Sequence, residues 1–391
     1  MIAWLLISFF VLLFLGVPIA MSLGLSAMGG ILFLGGGSTV TIAQRMFEGM
    51  NSFALLAIPL YTFAGFTMSK GGISKRLMDF CYSIVGHIYG GLAHVNVLSS
   101  MIFAGISGSA VADTAGVSGM FMPEMVRKGY SKNFTVAVTA ISSTIGIIIP
   151  PSIPMVVIAG ICGISTGKLF LGGIIPGVLC GLAQMIVSYF MAKKEGVPKE
   201  PGHFTIGPVL HGLWESWPAL LMPIIIVGTI TMGIVSPTEA GVIAVVYGLF
   251  AGGIIYRELK WEDIKFAFAE TVRTSGRIFI VIGAAKLYTV MLTTAGFDKW
   301  VAKTMLGFST NPTVILIVIL LIFFIVTMFM ESIATLTLFM PILYPIALGV
   351  GINPIVLSVL ITVVIGVGLV TPPVGMCIYV ACDLMDVTVG E

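Results

Sequence analysis

Charged side chains are scarce in this chain. Only 9% of its 391 residues are Asp, Glu, Lys or Arg, whereas soluble domains carry about 25%. Hydrophobic residues make up 58% of the sequence. A soluble fold of this size could not bury so much apolar surface, which excludes an ordinary cytoplasmic enzyme. The net charge of +2 is nearly neutral and does not suggest a nucleic-acid partner.

Side-chain patterns typical of enzymes are also missing. The four histidines form no His-Glu-x-x-His motif, and there is no Gly-x-Gly-Asp membrane-aspartate motif. Residues 163–168 resemble a phosphate-binding loop, but the spacing is one residue short and Leu169 replaces the required Ser or Thr. The five cysteines form no Cys-x-x-Cys pair and lie in or beside apolar runs, which indicates small buried hydrophobic side chains. The absence of a complete phosphate-binding loop argues against an ATP-driven motor within the chain.

Long apolar runs dominate the sequence instead. A membrane-spanning helix needs about 20 apolar residues, so the length allows about ten to twelve membrane segments. The first run, 2–34, is too long for a signal peptide and is predicted to be a membrane helix, with room for a break near Gly16 and Pro18. Segments 38–52 and 73–92 mix charges with aromatic and aliphatic residues, which predicts amphipathic helices at the membrane surface. The sequence therefore predicts an all-α polytopic membrane protein.

Five short matches indicate an internal repeat. The matched pairs lie 218 to 227 positions apart and keep the same order along the chain. They are Pro18 with Pro237, Leu60–Thr62 with Leu287–Thr289, Asp113 with Glu331, Met122–Pro123 with Met340–Pro341, and Gly146–Ser152 with Gly368–Val374. Two repeats, 1–205 and 206–391, each beginning with a span and ending near a double proline, are typical of a transporter.

Basic loops predict how the two repeats lie in the membrane. Loops 193–203 and 257–275 are the most basic and are separated by two spans, so the positive-inside rule places both in the cytoplasm. Counting spans from these loops makes 93–125 a re-entrant hairpin that opens from the cytoplasm. The same count makes 313–345 a hairpin that enters from the opposite face. The predicted architecture is therefore an inverted repeat with two opposed re-entrant hairpins.

Small polar residues interrupt the first predicted hairpin. Ser107, Gly108 and Ser109 lie where an apolar run would otherwise continue, and Asp113 and Thr114 follow. Non-helical backbone at membrane depth is tolerated only where it is buried or lines a wet cavity. Carbonyl and hydroxyl oxygens at a hairpin tip would suit a dehydrated Na⁺. Close packing of helices through small residues would give the same pattern, so this motif alone leaves both interpretations open.

Two double prolines, Pro150-Pro151 and Pro372-Pro373, occupy corresponding places in two apolar segments. Proline removes an amide donor and breaks a helix, and a simple kink needs only one proline. The recurrence of the pair predicts two broken helices, at 134–163 and 354–382, that flank a site. The amino ends of half-helices favour a carboxylate, whereas the carbonyls at their carboxyl ends favour a cation.

Asp113 and Glu331 are acidic residues inside the predicted hairpins. A charged group at the centre of a membrane helix costs about 3 kcal/mol on insertion scales, so both are predicted to face protein or water. Ion coupling, proton transfer and a structural hydrogen bond are all compatible with this position. We favour structural support, because each residue is predicted to lie several positions from its hairpin tip. Glu239 begins a span and is predicted to act as a charge at the amino end of that helix.

Four motifs together resemble the large membrane subunit, the DctM-type or M subunit, of TRAP (tripartite ATP-independent periplasmic) transporters. They are Gly105–Asp113, Ile149–Ser152, Ser236–Ala240 and Gly368–Gly375, and the resemblance covers nearly the whole chain. It implies an elevator-type secondary transporter of the ion-transporter superfamily in the bacterial inner membrane, with Na⁺ as the coupling ion. It also implies two partners, a small four-helix membrane subunit of DctQ type and a periplasmic solute-binding protein. The implied substrate is a small organic acid, such as a C4-dicarboxylate or a sialic acid.

The resemblance also implies where Na⁺ would bind. One site would lie between the first hairpin tip and the first helix break, and the other between the second tip and the second break. The residues implied for these Na⁺ sites are Ser107, Gly108, Ser109, Gly146, Pro150, Ser152, Ser332, Thr335, Gly368, Thr371, Pro372 and Gly375. Those expected to contact the substrate or to support the sites are Asp113, Thr114, Pro151, Glu331 and Pro373. In the second hairpin, the sequence from Glu331 to Thr335 replaces the Ser-Gly-Ser pattern, so the match of ligands is weaker there.

Three other functions share parts of this pattern. A stand-alone ion-coupled carboxylate symporter would have the same hairpins and would need no binding protein. An intramembrane protease using Ser107 or Ser109 would need a partner base, and His87 and His94 are predicted to lie in the interfacial segment. A passive channel would show flux without ion coupling. The sequence favours a transporter over an enzyme.

The repeat also predicts a further segment. The double prolines are 222 positions apart, so residue 391 corresponds to residue 169, where the first repeat begins another full span. We therefore expect one more carboxyl-terminal helix in the native protein, beyond this sequence.

Overall fold

The computed structural model describes residues 1–35, 38–197 and 204–390, and these residues form helices and turns with no strand among them. The helices are α1 (Ile2–Phe14), α2 (Ile19–Leu34), α3 (Val40–Met50), α4 (Ala57–Lys70), α5 (Ile73–Val85), α6 (Gly91–Ser107), α7 (Ala110–Asp113), α8 (Gly119–Arg127), α9 (Lys132–Ser143), α10 (Ile153–Cys162), α11 (Thr166–Lys194), α12 (Ile206–Thr231), α13 (Pro237–Phe250), α14 (Trp261–Thr294), α15 (Phe297–Phe308), α16 (Pro312–Thr327), α17 (Ser332–Gly349), α18 (Pro354–Gly368) and α19 (Met376–Met385). Short 3₁₀ turns lie at Phe53–Leu56 and Thr144–Ile147, and wider π turns at Thr114–Ser118 and Ala251–Ile255. Part of the loop 193–203, and residue 391, lie outside the described residues.

Six helical segments are long and apolar enough to cross a membrane. They are Phe53–Lys70, Thr166–Lys194, Ile206–Thr231, Pro237–Ile255, Trp261–Thr294 and Ser332–Gly349. Other apolar helices, among them α6, α10, α16, α18 and α19, have only 10 to 17 residues. The expected all-α polytopic membrane fold is confirmed, and several short helices contribute to its hairpins and breaks.

The first apolar run forms two helices. α1 ends at Phe14 and α2 begins at Ile19, and between them Gly16 has a φ of +80°. Pro18 immediately precedes α2, where its missing amide costs no helical hydrogen bond. α1 and α2 pack against each other. The prediction of one helix over 2–34 is therefore wrong, and the break near Gly16 and Pro18 is present.

Long helices tie each repeat to the other. α4 packs along α13, and α14 packs along α2 and α3. The Tyr61 hydroxyl on α4 donates to the carbonyl of Pro237 at 2.8 Å, and the Tyr288 hydroxyl on α14 donates to the carbonyl of Leu5 at 2.9 Å. Both tyrosine side chains are buried. Tyr61 and Tyr288 are matched in the internal repeat, and each donates a hydrogen bond to the other repeat.

Glu239 closes the amino end of α13. Its carboxylate accepts a hydrogen bond from the amide of Ser236 at 2.7 Å, and its own amide donates to the Ser236 hydroxyl at 3.3 Å. This reciprocal capping box satisfies two amides that a helix start would otherwise leave unpaired. The predicted role of Glu239 at a helix amino end is confirmed.

A single offset in sequence relates the hairpins and breaks of the first repeat to those of the second. Ser109 and Glu331 each cap the helix that leaves a hairpin turn, and Ser131 and Asn353 cap α9 and α18. The members of each pair are 222 positions apart, which is also the spacing of the two double prolines. This offset therefore identifies structurally corresponding residues in this part of the fold.

Candidate functional site

The first hairpin turns at Gly108 and Ser109. α6 ends at Ser107, and Gly108 takes a left-handed conformation with a φ of +63°. Ser109 caps α7, since its hydroxyl accepts from the amide of Ala112 at 3.4 Å. A Cβ atom on Gly108 would lie 2.7 Å from the carbonyl oxygen of Pro151. The turn requires glycine both for its backbone angle and for this close approach.

The first helix break contains the double proline and a capping serine. α10 begins at Ile153, directly after the break, and the peptide bond between Pro150 and Pro151 is cis. Ser152 is fully buried. Its hydroxyl donates to the carbonyl of Ile147 at 2.5 Å and accepts from the amide of Met155 at 3.3 Å. Ser152 thus connects the two half-helices across the break.

The first hairpin tip lies directly against the first break. The amide of Ile153 donates to the carbonyl of Gly108 at 3.1 Å. A Cβ atom on Gly146 would lie 3.4 Å from the carbonyl oxygen of Ser109, so the two backbones also meet there. The buried members of this contact are Ser107, Gly108, Gly146, Pro150, Pro151 and Ser152. The structure therefore brings together the residues expected for the first Na⁺ site, while Na⁺ binding itself stays a prediction.

The second hairpin meets the second break in a similar way. The amide of Val374 donates to the carbonyl of Met328, just after α16, at 3.0 Å. A Cβ atom on Gly368, at the end of α18, would lie 2.6 Å from the Cβ of Thr327. The peptide bond within Pro372-Pro373 is cis. Our sequence reasoning missed Met328, because a backbone carbonyl leaves no signature in the residue type.

Within the described residues, the two double prolines differ in exposure. Pro150-Pro151 is buried, whereas Pro372-Pro373 is exposed. α11 packs along the first break so closely that a Cβ atom on Gly173 would lie 2.6 Å from the carbonyl oxygen of Ile148. α11 therefore packs directly against the first break.

Glu331 lies at the second hairpin tip itself. Its carboxyl group accepts from the amide of Ile333 at 2.9 Å, from the amide of Ala334 at 3.3 Å and from the hydroxyl of Ser332 at 2.7 Å. The expectation that Glu331 lies several residues from its tip is wrong. Its three hydrogen bonds instead place it as the cap of α17, which agrees with the structural role that we favoured.

Asp113 lies four residues beyond the first tip. It is fully buried at the end of α7, and its amide donates to the carbonyl of Ser109 at 3.0 Å. In the register of 222 positions Asp113 corresponds to Thr335. The predicted correspondence of Asp113 with Glu331, at 218 positions, is therefore wrong. The match of Met122–Pro123 with Met340–Pro341 uses the same offset of 218, so it does not pair structurally corresponding residues either. The two acidic residues occupy different places in their hairpins.

Other predicted site residues near the tips are threonines whose hydroxyls donate hydrogen bonds to nearby backbone carbonyls. Thr114 donates to a carbonyl of its own helix at 2.9 Å, Thr335 to the carbonyl of Glu331 at 3.1 Å, and Thr371 to a carbonyl four residues back at 2.7 Å. Gly375 has a φ of +49° and precedes α19. A hydroxyl that donates its proton still has oxygen lone pairs, so these groups retain acceptor capacity for a further partner.

Helix carboxyl ends converge at each contact between tip and break. α6 ends beside the 3₁₀ turn that extends α9, and α16 ends beside the end of α18. These ends carry partial negative charge. Among the described residues, no group of three or more His, Cys, Asp or Glu side chains could hold a metal ion. The available ligands are carbonyl and hydroxyl oxygens, which suit a hard cation better than a transition metal.

Comparison with known proteins identifies related sequences. Residues 6–391 match the family model described as the tripartite ATP-independent periplasmic transporter, DctM component. The chain is 37% identical to the isethionate TRAP transporter permease protein DctMQ of Oleidesulfovibrio alaskensis, over 98% of this chain and 60% of that protein. It is 35% identical to the sialic acid TRAP transporter large permease protein SiaM of Vibrio cholerae, over 96% of this chain and 88% of that protein. It is 36% identical to the C4-dicarboxylate TRAP transporter large permease protein DctM of Pseudomonas aeruginosa, over 94% and 86%.

Two solved structures share the fold. The YdaH transporter of Alcanivorax borkumensis superposes with a TM-score of 0.60 at 14% identity, covering 89% of this chain and 81% of that one. MtrF of Neisseria gonorrhoeae, described among antimetabolite efflux pumps, superposes with a TM-score of 0.56 at 12% identity, covering 90% and 78%. At such identities the likeness concerns the fold alone.

Proposed function

Because the chain belongs to the DctM-component family of tripartite ATP-independent periplasmic transporters, we propose that it imports a small organic acid together with Na⁺. As a large permease of this family, it lies in the bacterial inner membrane. Relatives are named for isethionate, sialic acid and C4-dicarboxylates, all of which carry an acidic group. These names support a small anionic substrate, and among such anions we propose a carboxylate.

The converging helix ends are the observation that most supports Na⁺ coupling. At the first contact, the carboxyl ends of α6 and of the extended α9 meet around Ser107 and Ile147. At the second, the carboxyl ends of α16 and α18 meet around Thr327 and Gly368. Partial negative charge from two helices, together with nearby hydroxyl oxygens, favours a dehydrated monovalent cation. We propose one Na⁺ site at each contact.

An elevator mechanism is compatible with the way the helices pack. Hairpin tips and breaks are joined by backbone hydrogen bonds, from Ile153 to Gly108 and from Val374 to Met328. The helices α2, α4, α13 and α14 are joined to one another across the repeats. We propose that the first group moves as a transport unit against the second group as scaffold. Na⁺ would favour the substrate-competent state by binding it more tightly.

Two protein partners complete the proposal. We propose that a small four-helix membrane subunit supports the scaffold and that a periplasmic solute-binding protein delivers the acid. The DctMQ relative supports the first partner, since its name joins two components and this chain covers only 60% of its length. The competing proposal is a stand-alone carboxylate symporter, and its distinguishing property is uptake without a binding protein.

Uptake into proteoliposomes tests these proposals. The purified chain would be reconstituted with its proposed membrane subunit and solute-binding protein, and supplied with radiolabelled sialic acid, succinate or isethionate. An inward Na⁺ gradient should drive accumulation, whereas an equal K⁺ gradient should not. Equal uptake under both gradients would contradict Na⁺ coupling. Accumulation without the binding protein would favour the stand-alone symporter.

A further inference from the structure

A buried polar cluster joins the first hairpin to the first broken helix, well away from the hairpin tip. Asn96 on α6 donates through Nδ2 to the hydroxyl of Thr139 on α9 at 2.9 Å. Its Oδ1 accepts from the hydroxyl of Ser142, also on α9, at 3.1 Å. All three side chains are fully buried. We call these three residues the polar clasp.

The polar clasp and the tip contact are two separate attachments between the same segments. Asn96 faces Thr139, and twelve positions later Gly108 faces Ile153, so α6 and the broken helix run in the same direction. At 1.5 Å per residue, the two attachments lie about 18 Å apart. Two attachments at this spacing restrain rotation of α6 relative to the broken helix more than either would alone.

The second repeat has a tip contact without a polar clasp. At the offset of 222 positions, the clasp residues correspond to Val318, Ile361 and Val364. The hydroxyls of Thr327, Ser358 and Thr362 donate to carbonyls within their own helices, α16 and α18. Among the described side chains, no hydrogen bond therefore joins α16 to α18.

This difference matters in a membrane. Apolar helices gain little free energy by leaving lipid for each other, because lipid tails are equally apolar. A hydrogen-bonded asparagine between two helices adds an attraction that lipid cannot replace, and it fixes their relative rotation. Without partners, the same amide would be buried at a cost.

We propose that Asn96 is a positioning residue which, through the polar clasp, holds the first hairpin and the first broken helix as one rigid body. On the proposed function, this body contains the first Na⁺ site, so the clasp keeps the oxygens near Ser107 and Ile147 at a constant spacing. The second hairpin lacks the clasp and separates from α18 more readily. The two hairpins thus differ in mobility although their tips share one backbone plan.

Hydrogen–deuterium exchange on the full chain in lipid nanodiscs tests the clasp without depending on transport. Asn96→Ala should speed exchange of the first tip, residues 104–112, several-fold and leave the second tip, residues 326–334, unchanged. Thr362→Val is the matched control, because it removes an equally buried hydroxyl that bonds within one helix. A folded Asn96→Ala protein with unaltered exchange at the first tip would overturn the proposal.

Two milder variants keep the test decisive if Asn96→Ala does not fold. Thr139→Val removes one acceptor of the clasp, and Ser142→Ala removes one donor. Each should raise the Na⁺ concentration for half-maximal uptake about threefold, the effect of one interhelical hydrogen bond in a membrane, and each should speed exchange at the first tip. Unchanged values for both measurements would also overturn the clasp. If wild-type uptake ignores Na⁺, the proposed function fails, whereas the exchange measurement still decides the clasp.

Discussion

Glu331 lies 222 positions after Ser109, and each residue caps the helix that leaves a hairpin tip. Ser109 does so with a hydroxyl that accepts from one amide, at Ala112. Glu331 does so with a carboxyl group that accepts from two amides, at Ile333 and Ala334. The two tips share a backbone plan but differ in chemistry, so substitutions at corresponding positions should have unequal effects.

Removing the cap at Glu331 should destabilise the second hairpin. Glu331→Ala leaves two amides unpaired and should lower the free energy of unfolding by about 1 kcal/mol, the usual value of a helix cap. Glu331→Gln keeps an acceptor oxygen and should lose less. Unfolding in mixed SDS micelles would measure both variants. Equal stability of the alanine variant and the wild type would refute the capping role.

Gly108 should tolerate no side chain. Gly108→Ala adds a Cβ atom 2.7 Å from the carbonyl oxygen of Pro151 and forces alanine to a φ of +63°. Strain of about 1–2 kcal/mol from the left-handed backbone, together with this contact, should reduce Na⁺-driven uptake at least about tenfold. Gly163→Ala is the control, since Gly163 has a φ of +65° with no neighbouring atom within 4 Å of the added Cβ. Similar losses in both variants would show that the contact with Pro151 does not matter.

Ser152 should influence Na⁺ use more than an ordinary capping serine does. Ser152→Ala removes the bond to Ile147, which crosses the break, and the bond to Met155, which caps α10. The half-saturating Na⁺ concentration should therefore rise about threefold, the effect of one lost bond between helices in a membrane. Ser165→Ala is the control, because Ser165 caps α11 at an exposed position outside the break. Equal Na⁺ titrations for the two variants would contradict a role of the break in Na⁺ binding.

The buried tyrosines should stabilise the packing between the repeats. Tyr61→Phe and Tyr288→Phe each remove one hydrogen bond to a backbone carbonyl and should lower the free energy of unfolding by about 1 kcal/mol. Tyr344→Phe should have little effect, because no hydrogen bond of its hydroxyl occurs among the described residues. SDS-induced unfolding would compare the three. A loss with Tyr344→Phe as large as the others would contradict the stabilising role of the hydroxyl bonds of Tyr61 and Tyr288.

The sequence determined the positions of the chain breaks. Pro150-Pro151 and Pro372-Pro373 each remove two consecutive amide donors, which ends the helix at that point. Gly108 and Ser109 identified the first tip for a similarly local reason, since glycine accepts a positive φ and serine caps a helix. Ser236 and Glu239 identified the start of α13 through their spacing. Such features depend on a few neighbouring residues, so the sequence alone can state them.

Only the tertiary structure decided how these pieces correspond and what covers them. Glu331 pairs with Ser109 and not with Asp113, because the start of α17 selects the residue that caps it. α11 packs against the first break, where Gly173 lies beside Ile148, 25 positions earlier. Asn96 meets Thr139, 43 positions away, because α6 and α9 lie side by side. A contact between distant segments depends on the packing of whole helices, and the residue types at its two ends do not specify it.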